Sequence, residues 1–266
     1  MRYGKYELEI DTYEKECVLM NILQNVFLKD KVVILTGATG GIGQVIAKAL
    51  AARNMRLMLT GRNPGKLQQL AESVRAIGGD AATCIANLFD PEAIDLIINA
   101  TLTVFGNIDM LINNAGLAQN TAFADVTAEE YDRIVTLNTK APYFLTQKAL
   151  PHLLKSDFAT VINIASVVAH KGYVQQSVYA ASKSALLGWS KSLAAEYYKK
   201  NLRVHVISPG GVYTEMVALS RPDLMPDEMI QPEIIADTIL FLLEHRHTNA
   251  VIDEIGIHRA NKEPFL

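Results

Sequence analysis

From Lys31 onward the chain alternates between two hydrophobic periodicities. Short runs that are apolar at nearly every position are each followed, after a turn signal, by a stretch with apolar residues three and four apart. The runs at 31–35 (KVVIL), 56–60 (RLMLT), 82–86 (ATCIA), 108–112 (IDMLI), 160–165 (TVINIA), 203–207 (RVHVI) and 250–258 predict strands. The stretches at 43–53, 64–77, 91–105, 127–137, 139–154, 178–198 and 232–244 predict helices, the last opened by Pro232 in its first turn. Strands that are apolar throughout need both faces covered. The pattern therefore predicts an α/β fold, a doubly wound parallel sheet of about seven strands with helices on both faces in a single Rossmann-type domain.

No internal repeat or linker interrupts the alternation, so one domain over 29–266 is expected, preceded by an extension over 1–28. Two readings of that extension stay open: a short docking helix over 13–27, or a true start at Met20 that leaves the first nineteen residues out. The stretch 210–231 carries Pro222 and Pro226 with Met216, Met225 and Met229, and it predicts a flexible flap.

Composition narrows the function. Half of the residues are hydrophobic, and 25 Lys and Arg stand against 28 Asp and Glu, a net charge of −3. Such a balance offers neither nucleic acid nor an anionic membrane a basic surface. No apolar run approaches the ~18 residues of a membrane span. Cys17 and Cys84 make no disulfide framework, and a reducing, cytoplasmic setting is expected. His152, His170, His205, His245, His247 and His258 have no metal-ligand spacing; His245 and Arg246 are expected to cap the C-terminus of the last helix.

The first strand leads directly into Thr36-Gly37-Ala38-Thr39-Gly40-Gly41-Ile42-Gly43 and then a helix. Glycine permits the tight turn and the close approach of a pyrophosphate, and the helix N-terminus presents free N–H groups to it. The loop lacks the Lys-Ser/Thr ending of a nucleoside-triphosphate site. At the end of the second strand, where an adenosine ribose would lie, stand Thr60-Gly61-Arg62-Asn63. No carboxylate is there to hold both ribose hydroxyls and repel a 2′-phosphate. Arg62 can make a forked contact with that phosphate, which favours NADP(H) over NAD(H).

Tyr179 and Lys183 are four apart in a helical pattern, so they share one helix face. A phenol is a poor acid–base group at neutral pH, and a neighbouring ammonium is expected to lower its pKa toward the working range. Ser166 follows the fifth strand, at the carboxyl edge where ligands of open α/β sheets bind.

Together these segments resemble the short-chain dehydrogenase/reductase family, in its compact single-domain branch typified by the 3-oxoacyl-carrier-protein reductases. The matching segments are TGATGGIG (36–43), NNAG (113–116), VTLNTKAP around Asn138, INIAS ending at Ser166, YAASK (179–183) and SPGGVYT (208–214), in the family's order and covering roughly 30–258. The resemblance implies that Tyr179 is the general acid in reduction and the base in oxidation. It implies that Lys183 tunes Tyr179 and holds the nicotinamide ribose, that Ser166 orients the carbonyl oxygen, and that Asn138 holds a water linking Lys183 to solvent. It places Asn113, Asn114, Ala115 and Gly116 along the cofactor, and Pro209, Gly210, Val212 and Thr214 at the carboxamide. A four-helix interface built from the Tyr179 helix and the long helix before it implies a homodimer or homotetramer.

Two departures stand out. Asn87, in Ala86-Asn87-Leu88, occupies the place where the family has an Asp that accepts from the adenine amino group; an amide oxygen can still accept. The tail VIDEIGIHRANKEPF (251–265) differs from the Gly-rich closing strand of the carrier-protein reductases. Trp189, Leu186, Leu187 and Leu193 are expected in the core or a subunit contact. Tyr173, Tyr213, Val168 and Gln175 are the substrate-pocket candidates.

The expectation is an NADP(H)-dependent oxidoreductase moving a hydride between nicotinamide and a small-molecule carbonyl/secondary-alcohol pair, with a 3-oxoacyl or similar ketone as substrate. A small 3-hydroxy acid dehydrogenase is the nearest alternative. A catalytically silent nucleotide-binding protein would normally have lost Tyr179 or Lys183, and a methyltransferase would lack that pair.

Overall fold

A computed structural model describes residues 27–214, 217 and 225–262. The expected helix over 13–27 lies outside them except for its last residue; Phe27 and Leu28 are helical, and Leu28 is fully buried. Strands β1 (Val32–Leu35), β2 (Arg56–Gly61), β3 (Asp80–Ile85), β4 (Met110–Asn113), β5 (Thr160–Ile164), β6 (Arg203–Pro209) and β7 (Glu254–Ile257) form one sheet in the order β3-β2-β1-β4-β5-β6-β7. Every neighbouring pair is parallel. The last strand is shorter than the 250–258 read from sequence.

Strand β1 shows why the runs are continuously apolar. Val33 and Leu35 enter one core, with α1 (Gly41–Ala51), α2 (Pro64–Ala76) and α7 (Pro232–Glu244); Val32 and Ile34 enter the other, with α3 (Ala93–Phe105), α5 (Ala141–Leu153) and α6 (Ser177–Tyr197). Successive side chains of a strand point to opposite faces, and here both faces are covered. The strand order reverses between β1 and β4, and a crevice opens beyond their carboxyl ends.

Local chemistry sets the helix ends. Asn63 caps α2, its Oδ1 accepting from Lys66 N, with Pro64 in the first turn. Thr127 caps α4 (Ala128–Val135) through Glu130 N. The expected break between helices at 137–139 is absent: a π-helical turn, Thr136–Lys140, joins α4 to α5, with Ala141 N donating to Thr136 O. Helix α1 begins at Gly41 and α3 at Ala93, each two residues away from expectation. His245 is the C-cap of α7, its Nδ1 2.8 Å from Phe241 O. Arg246 does something else. It is buried and donates to Asn201 O, at 2.6 Å, and to Ala159 O, bracing the amino ends of β5 and β6. No described helix is long and apolar enough to cross a membrane.

Candidate active site

The glycine loop after β1 is folded flat against the chain that leaves β4. Gly37 has a φ of +62°, and a Cβ there would lie 2.8 Å from Ala115 Cα. A Cβ on Gly43 would lie 2.3 Å from Gly37 O. Asn114 fastens the two segments: its Nδ2 donates to Thr36 O and Gly37 O, both at 3.0 Å, and its N donates to Thr36 Oγ1. The Asn114 amide is thus spent on positioning the loop. Gly40 supplies no side-chain cap to α1, so the first-turn N–H groups, beside the crevice wall formed by Gly40–Gly43, have no partner within the helix. Gly41 lies against the side chain of Thr214.

A cavity of about 1530 Å³ runs from this loop along the carboxyl edge of the sheet. One end is lined by Thr39, Arg62, Asn63, Lys66, Asn87 and Leu88. Arg62 and Lys66 are exposed, and neither charged group makes a hydrogen bond or ion pair among the described residues. Asn87 donates from Nδ2 to Asp90 at 3.1 Å, while its Oδ1 is buried without a partner. An orphaned acceptor there, a glycine cradle that a Cβ would fill and an open helix N-terminus together fit an adenine dinucleotide.

The other end gathers Ser166, Tyr179 and Lys183. Ser166 caps a short 3-10 turn, Val167–Ala169, and its Oγ donates to Pro209 O at 3.2 Å. Helix α6 is capped from a distance: Gln119 Oε1 accepts from Val178 N at 2.8 Å and from Tyr179 N at 3.1 Å. This contact fixes the first turn that carries Tyr179, and sequence reading missed it. Lys183 lies one turn on, its Nζ 6.0 Å from the Tyr179 ring centre and 2.7 Å from Ile164 O, to which it donates.

The electrostatics correct one expectation. Burial holds the Tyr179 hydroxyl above its ordinary pKa, partly offset by a hydrogen bond with Ser166, and burial lowers Lys183 to about 8. In the protein alone, desolvation outweighs any pull of the ammonium on the phenol. Tyr179, on the wall of the cavity, therefore carries its proton at neutral pH. Asn138, in the π-turn, is buried. Its Nδ2 donates to Leu117 O and Ser182 Oγ, and its Oδ1 accepts from Leu117 N, so both amide donors are engaged within the protein.

Gly116, Ala115, Pro209, Gly210, Val212 and Thr214 line the cavity as expected. Asn113 does not: it is the last residue of β4, its side chain turned into the core, where Nδ2 donates to Thr146 Oγ1 and Asn163 Oδ1. Of the pocket candidates, Val168 and Tyr173 line the cavity. Gln175 has a φ of +62° and its carbonyl accepts from Thr121 N, outside the lining; Gln176 takes its place. Tyr213 is also outside, its N donating to Ile230 O next to the Val212–Ile230 bridge. Lining residues not foreseen include Lys66, Lys171, Met229, His258, Arg259, Asn261 and Lys262. The signal for the last four was their place just past the final strand of a parallel sheet, at its carboxyl edge. No metal-binding cluster of His, Cys, Asp or Glu occurs among the described residues. Leu186 and Leu187 are core residues, with Leu193 and Trp189 packed at its margin.

The family model described as short chain dehydrogenase matches residues 31–224. The short-chain dehydrogenase/reductase FrzI of Cladobotryum sp. is 37% identical over 211 residues, covering 79% of this chain and 78% of that protein. The 3-oxoacyl-(acyl-carrier-protein) reductase FabG of Thermotoga maritima is 29% identical over 240 residues, covering 86% and 97%. Among solved structures, a metagenomic short-chain oxidoreductase in complex with NADP superimposes with a TM-score of 0.76 at 28% identity, covering 89% of this chain and all of that one.

Proposed function

The chain belongs to the short-chain dehydrogenase family and is an oxidoreductase acting on CH–OH and carbonyl groups, and from that premise we propose that it is an NADP(H)-dependent reductase of a 3-oxoacyl or similar ketone. One observation carries the reading. A single cavity joins Ser166, Tyr179 and Lys183 at one end to Arg62 and Lys66 at the other, with no acidic residue among its described lining. A carboxylate at the ribose end would repel a 2′-phosphate; two cations there attract it. The relatives point the same way: FabG of T. maritima is named for 3-oxoacyl reduction, and the metagenomic enzyme is in complex with NADP.

A bound NADPH supplies the hydride. The chain's residues manage the rest. With the cofactor bound, the first-turn N–H groups of α1 would hold the pyrophosphate, Asn87 Oδ1 would accept from the adenine amino group, and Lys183 would hold the nicotinamide ribose. Ser166 donates a hydrogen bond to the carbonyl oxygen, and Tyr179, kept protonated by burial, delivers its proton to that oxygen as the carbonyl carbon is reduced. Lys183 and the Asn138 region return a proton to Tyr179 from solvent. Oxidation of a small 3-hydroxy acid, the same chemistry reversed, is a second reading favoured by the cationic residues at the substrate end. The exposed Tyr143 and Phe144 of α5, with Tyr143 edge-on to Trp189 of α6, support a homo-oligomer through these helices. The buried free thiol of Cys84 suits a reducing, cytoplasmic setting.

The test follows NADPH and NADH oxidation in parallel against a panel of 3-oxoacyl thioesters, short 3-oxo acids and esters, a diketone, a cyclic ketone and a sugar. Turnover of the 3-oxo compounds with NADPH in preference to NADH is expected. Turnover with NADH alone removes the cofactor assignment, and no turnover of any carbonyl removes the reductase reading.

A further inference from the structure

The cavity's described lining contains six cationic side chains, Arg62, Lys66, Lys171, Lys183, Arg259 and Lys262, and no Asp or Glu, in a chain whose net charge is −3. Arg62 and Lys66 lie at the ribose end, and Lys183 belongs to the Tyr179 pair. Lys171 has an interaction of its own, and Arg259 and Lys262 remain, used by neither cofactor binding nor proton transfer.

The sheet explains how the tail reaches this place. Strands β6 and β7 leave the sheet side by side, with Pro209 paired to Ile257 and Gly210 N donating to Ile257 O at 2.7 Å. Pro209 O is the acceptor for Ser166 Oγ, so the chain beyond β7 emerges next to the reacting end of the cavity. Arg259 lies there half-buried along Gly211, where an added Cβ would be 3.8 Å from its Nε. Its guanidinium makes no hydrogen bond or ion pair among the described residues. His170 Nε2 and Glu254 Oε1 meet at 2.5 Å, tying the segment after Ser166 to the start of β7.

A half-buried guanidinium without a partner among the described residues, on the wall of a cavity whose described lining has no acid, is suited to receive an anion. We propose that the substrate carries a carboxylate beside its reacting carbonyl, and that Arg259, aided by Lys262, binds it and selects free 3-oxo acids over neutral ketones and esters. The proposal rests on the reductase reading above and narrows its substrate.

The experiment compares 3-oxobutanoate, its methyl ester and its coenzyme A thioester with the wild-type protein and with Arg259→Gln and Arg259→Lys. Titration calorimetry of 3-hydroxybutanoate into the NADP+-saturated protein reads binding without turnover. The wild type is expected to prefer the acid, and Arg259→Gln to lose about ten- to a hundred-fold of that preference through KM, the worth of a hydrogen-bonded charge. Arg259→Lys keeps most of it, and the calorimetric affinity falls in parallel. Equal use of acid and ester by the wild type overturns the proposal. So does a thioester preference that Arg259→Gln lowers, which would make the anion a coenzyme phosphate. A weaker NADPH affinity in Arg259→Gln with an unchanged acid KM overturns it too, returning Arg259 to the cofactor. If no carbonyl is reduced, the reductase reading fails; calorimetric binding of the acid that is weakened in Arg259→Gln still upholds the carboxylate site, and no binding removes it.

Discussion

The two ends of the cavity are held by different means. At the proposed cofactor end a ligand would meet backbone: a glycine turn pressed onto Ala115, a helix start, and Asn114 stitching the ends of β1 and β4 together. At the proposed substrate end it would meet side chains carried on a 3-10 turn, on the segment around the Val212–Ile230 bridge and on the tail past β7. The contrast separates what recognises a constant ligand from what can be exchanged. The first end tolerates little, because a Cβ 2.3 Å from a carbonyl must displace the chain. The second can be retuned one side chain at a time.

Substitutions that act on one end alone test that division. Tyr179→Phe removes the proton donor and is expected to lower kcat by about 10²–10⁴, the usual contribution of general acid catalysis. NADPH binding, followed by fluorescence titration, should hold; loss of both together would mean that the two ends are not separable. Arg62→Ser should raise the KM for NADPH by about ten- to a hundred-fold and leave NADH nearly unaffected. Equal effects on the two cofactors would place Arg62 outside the ribose contact.

Gln119→Met deletes the acceptor shared by Val178 N and Tyr179 N. A lost cap costs about 0.5–2 kcal/mol, read as a lower Tm. If the cap also sets the position of Tyr179, kcat drops with unchanged NADPH affinity and Gln119→Glu, which keeps the acceptor, restores it.

A further test is a pH dependence. Burial lowers Lys183 from its ordinary 10.5 to about 8, so between those values the unfolded chain holds a proton that the folded chain does not. Stability then rises with pH across that window. Urea unfolding at pH 7.5 and 10 should show the wild type gaining on Lys183→Met; a constant difference between them would contradict the burial of the ammonium.

What was legible in the sequence follows the range of the interactions. Strands buried on both faces announce themselves as continuous apolar runs, and the glycine loop and the Tyr179–Lys183 pair are local patterns. Gln119 was not legible because the helix it caps begins more than fifty residues later in the chain. Arg259 reaches the site only through the β6–β7 pairing, which no local pattern states. Asn113 was misplaced because NNAG looks like one unit, although strand alternation divides it, turning Asn113 into the core and leaving Asn114 at the loop. The break expected near Asn138 marked a real irregularity, and Pro142, just past it, lacks the N–H that a regular turn needs, but a proline alone does not state the form taken, an extra residue within a continuous rod.

That extra residue acts as a phase shifter. An α-helix advances by about 100° per residue. Deleting one position in Thr136–Lys140 would restore α-helical spacing, save for the bond that Pro142 cannot donate, and turn α4 by roughly that angle relative to α5. Ile134, the buried residue of α4, would swing out of the protein while its charged neighbours swung in. A shortened protein of this kind would gain helical regularity and lose its fit, so the irregular turn is the part of the rod whose length is least free to drift.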